Sequence, residues 1–212
     1  MKNILCIAVL FVSSIFMAQE ANDTFSIPKN QWVLGGSLSV SSFNSSSDDL
    51  KSKSDSFWWE IAPDVGYVFA NNFMVGIKTQ YRFGDGDDNF DNGNAYKRSF
   101  QSFSVAPYIR KYFFVAKKLA LTLEGGVKVS KRWDEFTEVN AEKEETISND
   151  FFVGISPGLA YTLSKKVYLY SSLGNVGYYK TKSEKEGDIT KTDAFSFNVF
   201  TSHLNFGVLF LL

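Results

Sequence analysis

Phe57-Trp58-Trp59-Glu60-Ile61-Ala62-Pro63-Asp64-Val65-Gly66-Tyr67-Val68-Phe69 and Phe73-Met74-Val75-Gly76-Ile77-Lys78-Thr79-Gln80-Tyr81-Arg82-Phe83 are joined by Ala70-Asn71-Asn72. In the first run Trp59, Ile61, Pro63, Val65, Tyr67 and Phe69 share one parity, and Trp58, Glu60, Ala62, Asp64 and Gly66 the other. In the second, Phe73, Val75, Ile77, Thr79, Tyr81 and Phe83 oppose Met74, Gly76, Lys78, Gln80 and Arg82. A period of two places successive side chains on opposite faces and predicts β-strand. A helix would need apolar residues three and four apart.

Outward from this hairpin the same alternation recurs. Strands are predicted near Gln31 to Phe43, Gln101 to Phe113, Leu119 to Trp133, Phe151 to Leu163, Val167 to Tyr179 and Ala194 to Leu212. In the seventh, Tyr168, Tyr170, Val176 and Tyr178 compete with Val167, Leu169 and Leu173 for the apolar face. Short turns at Ala70-Asn71-Asn72, Ala116-Lys117-Lys118 and Ser164-Lys165-Lys166 alternate with polar stretches read as long loops: Asn44 to Asp55, Gly84 to Arg98, Asp134 to Asn149 and Lys180 to Asp193. Pro63, Pro107 and Pro157 recur at equivalent places, each ahead of a short turn. Lacking an amide donor, each belongs at a bulge or a locally unpaired position. One hairpin plus one loop is thus the repeat of an up-and-down meander.

The chain has 212 residues, 17% of them aromatic, with 21 phenylalanines. Lys2-Asn3 followed by the apolar run from Ile4 to Val12 and on to Met17-Ala18 reads as a secretory signal over residues 1–18. Residues 19–30 form a short lead-in, and 31–212 the barrel domain. The one cysteine, Cys6, lies in the signal, which removes disulfide and cysteine-metal chemistry from the mature chain. A formal net charge of -1 provides no basic face for nucleic acid.

Short turns on one side, long loops on the other and strands long enough to cross a tilted bilayer are the marks of an outer-membrane barrel. Aromatic residues gather near both strand ends. Phe69, Phe73, Tyr112, Phe113, Phe114, Tyr161 and Tyr168 lie by the turns, and Phe43, Phe57, Trp59, Tyr81, Phe83, Trp133, Phe151 and Tyr179 by the loops, as for two interfacial girdles. Glu60, Asp64, Lys78, Arg82, Arg110, Glu124, Lys128 and Arg132 would share the lumenal face. In a soluble ligand-binding barrel the facing would be reversed, with the apolar row inside.

The fold class read from these patterns is all-β: an eight-stranded antiparallel up-and-down transmembrane β-barrel. The Ile61 to Tyr67 hairpin segment, the three prolines and the closing Leu204-Asn205-Phe206-Gly207-Val208-Leu209-Phe210-Leu211-Leu212 resemble the small outer-membrane β-barrel domain family of OmpA/OmpX-like, porin-family-type barrels. The resemblance implies a location in the cell outer membrane, lipid and lipopolysaccharide as surroundings, and the barrel assembly machinery as a partner during biogenesis. That machinery reads an aromatic residue at the end of the last strand in this family. Here Leu212 ends the chain and Phe210 stands two places earlier on the same face.

Other chemistry finds little support. Asp85, Asp87, Asn89 and Asp91 alternate like calcium ligands, but Phe90 stands where an EF-hand loop needs glycine and Tyr96 where it needs the bidentate glutamate. His203, the only histidine, has Thr201 on its face and Ser202 beside it, and no nucleophile signature surrounds it. The charged stretches at Glu142-Lys143-Glu144-Glu145 and from Lys182 to Lys191 read as solvated surface. No catalytic, cofactor-binding or metal residue is assigned, and no cofactor. The expectation is a non-enzymatic monomer with four surface loops, acting in envelope integrity, adhesion or surface interaction. The alternatives are a narrow small-molecule channel, a lipid-modifying barrel enzyme carried by His203, and a secreted soluble ligand-binding barrel.

Overall fold

A computed structural model describes residues 26–47, 52–90, 95–138, 142–199 and 205–212. The strands are β1 (Gln31–Ser47), β2 (Ser52–Ala70), β3 (Phe73–Phe90), β4 (Ala95–Phe114), β5 (Leu119–Glu138), β6 (Glu144–Ser164), β7 (Val167–Ser172), β8 (Gly174–Lys185), β9 (Asp188–Val199) and β10 (Asn205–Leu211). All pairings are antiparallel between sequence neighbours, apart from β6 with β8, β7 with β10, and β1 with β10, which closes the sheet on itself. The result is a closed eight-stranded barrel with two extra strands. β7 and β8 are two lengths of one barrel strand, as are β9 and β10.

Facing follows parity. Ile61 is 48% exposed and Ile77 45%, whereas Asp64 is 1% and Arg110 2% exposed. The apolar row therefore points out of the barrel and the charged row into it, the reverse of a soluble barrel. Phe57 and Phe69 both point outward, and twelve residues at ~3.3 Å each, tilted ~45°, span about 28 Å, close to the ~25 Å apolar band of such barrels. Outer rings meet across strands: Trp32 and Tyr67 lie 5.3 Å apart by the turns, and Trp59 and Tyr81 5.5 Å apart by the loops.

Four of the rings assigned to the girdles belong elsewhere, Phe114 among them, packed against the buried cluster inside the barrel. Tyr112 and Tyr168 are buried inside the barrel, and Tyr179 lines its cavity. On β4 the even residues face inward, so Tyr112 continues the row of Tyr108 and Arg110. On the seventh barrel strand the parity changes partway. Tyr168 and Tyr170 face in below Leu173, while Asn175, Tyr179 and Thr181 face in above it. The change falls at Gly174, whose φ of 131° is open only to glycine. Both competing registers of this strand are thus correct, each for one half.

The prolines interrupt the ladder toward the following strand, as a missing donor requires. Pairing of β2 with β3 skips from Ile61↔Tyr81 to Asp64↔Lys78, and that of β4 with β5 from Val105↔Val129 to Tyr108↔Gly126. Pro157 sits where β6 changes partner from β7 to β8.

The four stretches read as long loops are mostly strand. β2 and β3 remain paired out to Ser52↔Phe90, β5 and β6 to Phe136↔Glu144, and β8 and β9 to Lys185↔Asp188. Hydrogen-bonded ladders satisfy the backbone in water as well as in lipid, so polar side chains on both faces do not end a strand. The β8–β9 hairpin closes on Glu186 and Gly187, both with positive φ, as a two-residue primed turn demands.

Candidate functional site

The barrel interior is built in three levels. At the turn end Val33, Val68, Met74, Tyr112, Ala120, Ala160, Tyr168, Leu209 and Leu211 pack into a buried cluster. Ile27, from the lead-in, completes it at 2% exposure. The lead-in is tied down by the first turn: the Ile27 amide donates to Asn72 Oδ1 (2.7 Å), the Asn72 amide to the Ile27 carbonyl (2.9 Å), and the Lys29 amide to Asn71 Oδ1 (3.0 Å). The Ala70-Asn71-Asn72 connection is therefore both a turn and the clasp of a plug.

Above this floor lies an ionic belt centred on Arg110. Its Nε and Nη2 donate to Glu124 Oε2 at 2.8 and 2.6 Å, its Nη1 to the Tyr112 hydroxyl at 3.1 Å, and Nη2 lies 3.4 Å from Asp64 Oδ2. The Tyr108 hydroxyl donates to Asp64 Oδ1 (2.5 Å) and Lys78 Nζ to Glu124 Oε1 (2.5 Å). The guanidinium stands over the Tyr108 and Tyr170 rings at 4.7 and 4.9 Å, and Lys78 over Tyr108 at 4.7 Å. Charges this deep persist only when paired and hydrogen-bonded. Each acid here has a cation, and the tyrosine faces supply further negative potential. Gly76 provides the space: a Cβ there would stand 2.6 Å from the Tyr108 ring.

Beyond the belt, toward the long hairpins, the interior opens into a cavity of about 460 Å3. Glu60, Gln80, Ser104, Lys128, Ser130 and Asp150 line it, among others. Ser104 donates to Gln80 Oε1 (3.1 Å), and Arg82 Nε to Glu60 Oε2 (2.6 Å). At the hairpin end Arg82 stands over Trp58 and Arg132 over Phe100, and Arg132 also binds Asp134. Of the eight residues placed in the lumen from sequence, Asp64, Lys78, Arg110 and Glu124 form one network. Glu60 and Arg82 form a separate pair, while Lys128 and Arg132 stand apart. Tyr108 and Asp150 were not singled out, Tyr112 was assigned to the girdle and Tyr170 was left between two faces, although each falls on the inward parity of its strand.

The calcium-like alternation is not a loop. Asp85, Asp87 and Asn89 lie along β3, paired with Ser99, Lys97 and Ala95. Positions 85 and 89 stand about 13 Å apart along an extended strand, so the alternation does not wrap around one ion as a calcium-binding loop does. Asp91, His203, Thr201, Ser202 and the signal lie outside the described residues. Among the described residues no group of histidine, cysteine or acidic side chains could hold a metal, and no helix is long and apolar enough to cross a membrane. The charged segments instead brace the hairpins: Lys143 binds Glu135 (2.8 Å) and Lys185 binds Glu144 (2.6 Å). The first bond holds the Glu135 carboxyl below its ordinary range.

An antiparallel barrel with its apolar face outward and its charges paired within is a membrane barrel. The chain belongs to the outer membrane protein beta-barrel domain family, whose pattern it matches over residues 7–201. Among solved structures it is similar to a major outer membrane protein from Thermus thermophilus, with 11% identity, 85% of this chain and 99% of that one covered, and a TM-score of 0.46. It is also similar to the transport unit of the autotransporter AIDA-I from Escherichia coli, with 12% identity, 95% of each chain covered and a TM-score of 0.41. No curated protein matches it.

Proposed function

We propose that the chain is a non-enzymatic, monomeric integral protein of the cell outer membrane, exported by the signal at 1–18, whose working surface is the set of hairpins standing above the bilayer. One observation carries this reading. β4, β5 and β6 run for 20, 20 and 21 residues, about twice the ~9 to 11 that a tilted strand needs to cross, while the turn end of the lumen is sealed. A continuous path for solutes is therefore absent among the described residues, and rigid paired surface is abundant. The Tyr96 and Phe136 rings stack 5.4 Å apart on β4 and β5 beyond the bilayer length. Such a surface suits adhesion or contact with surface partners, lipopolysaccharide included, and the sealed shell suits envelope integrity.

The experiment joins topology to conductance. Lys182→Cys, in a Cys6→Ala background on intact cells, is expected to react with a membrane-impermeant maleimide, and the pure protein to give no stable porin-sized channel in a planar bilayer. Steady conductance, or labelling only after lysis, would overturn the reading.

A further inference from the structure

Within the belt and the cavity the inward face carries four acids, Glu60, Asp64, Glu124 and Asp150, and four bases, Lys78, Arg82, Arg110 and Lys128; Arg132, higher on the same face, is bound to Asp134. Three bases are committed to acids: Arg82 to Glu60, Arg110 to Asp64 and Glu124, and Lys78 to Glu124. Lys128 and Asp150 are the remainder. Ser130 opposes Asp150 and Phe152 opposes Lys128 in the β5–β6 ladder, so the two charges are diagonal neighbours on one face. No ion pair joins them among the described residues. Asp150 is held instead by hydroxyls, accepting from Thr181 Oγ1 (2.6 Å) and Ser130 Oγ (3.4 Å). Lys128 stays exposed within the cavity.

We propose that this cavity binds a small zwitterion, with its ammonium group on Asp150 and its carboxylate or phosphate on Lys128. The charge balance selects that class. A purely anionic ligand on Lys128 would face Asp150 and Glu60, and a purely cationic one on Asp150 would face Lys128 and Arg82. A zwitterion meets an opposite charge at each end. Phe152, inward between the two, offers an apolar face to the carbons that link them. The volume lies within the ~300 to 1,000 Å3 of small-molecule sites. Two sources present this chemistry: a free amino acid arriving between the hairpins, and a phosphoethanolamine headgroup.

The test is calorimetric titration of the full chain in detergent micelles with glycine, O-phosphoethanolamine, acetate and ethylammonium. At least one zwitterion is expected to bind about tenfold or more tightly than either single-charge probe, as two charge-assisted contacts should exceed one. Lys128→Met and Asp150→Asn should each remove that advantage, and Lys128→Arg should keep it. Heat-dependent gel migration verifies that each variant is folded; should one fail, the wild-type comparison of probes decides alone. Repeating the titration in nanodiscs separates the sources. Loss of zwitterion binding in phosphatidylethanolamine discs, and not in phosphatidylglycerol discs, assigns the headgroup; equal binding in both assigns the free solute. No zwitterion binding, equal affinity for the single-charge probes, or unchanged preference in folded Lys128→Met and Asp150→Asn would overturn the proposal.

Discussion

The two ends of the barrel interior use opposite means. At the turn end, Ile27, Val68, Met74, Tyr112, Tyr168 and Leu209 fill the lumen to near-zero exposure, and Arg110 caps them with a belt of compensated charge. At the hairpin end, small and polar inward residues such as Ala62, Ser104, Gly126 and Ser130 leave a cavity, and the strands continue into water as ladders. The difference shows what an eight-stranded barrel can vary without changing its shell. Interior volume is fixed by strand number, so side-chain size alone decides which level is solid and which is open.

The largest effect should come from the belt. Arg110→Leu leaves Asp64 and Glu124 without their shared cation, and removing one side of a buried ionic cluster costs about 3 to 5 kcal/mol. Denaturant unfolding of the protein in micelles, followed by tryptophan fluorescence, should register it, and a change below ~1 kcal/mol would mean that water already enters the belt. Met74→Ala, at a residue with 0% exposure in the floor, should cost about 3 kcal/mol through lost packing and a cavity. An equal truncation at the open end should cost far less. The smallest effect belongs to the hairpins. Lys143→Ala removes the exposed pair with Glu135 and should leave the unfolding midpoint at pH 7 unmoved, as solvent-screened pairs do. The depressed Glu135 carboxyl favours the folded state above the ordinary carboxylate range, and that small contribution should fade as pH falls through the folded value.

The same contrast explains what could be read from the chain. The facing of β2 and β3 was legible from Phe57 to Phe83, because lipid on one side and a charged lumen on the other enforce strict alternation. The hairpin extensions were not, because water bathes both faces there. Lys182, Glu184 and Thr190 satisfy a ladder as well as a loop, and polarity alone cannot tell them apart. The floor was hidden for another reason. Tyr112 and Tyr168 have the composition of a girdle, and only strand parity, which flips at Gly174, assigns them inward. Ile27 gave no periodic signal, being one apolar residue in an irregular lead-in. The Arg110 network was visible as a list of inward charges but not as a set of partners, since cross-strand pairing depends on registers that proline interruptions leave open.

Facing of the central hairpin underlies every level of this interior, and Ile77 and Lys78 test it most directly as adjacent residues near the middle of β3. Ile77→Cys and Lys78→Cys, each in a Cys6→Ala background, are labelled with a fluorophore in bilayers carrying a lipid-bound quencher. Quenching at position 77 and protection at position 78 are expected, since Ile77 is exposed on the outer face and Lys78 reaches Glu124 across the lumen. Quenching at 78 with protection at 77 would contradict the register of β3, the sealed lumen and the membrane barrel together.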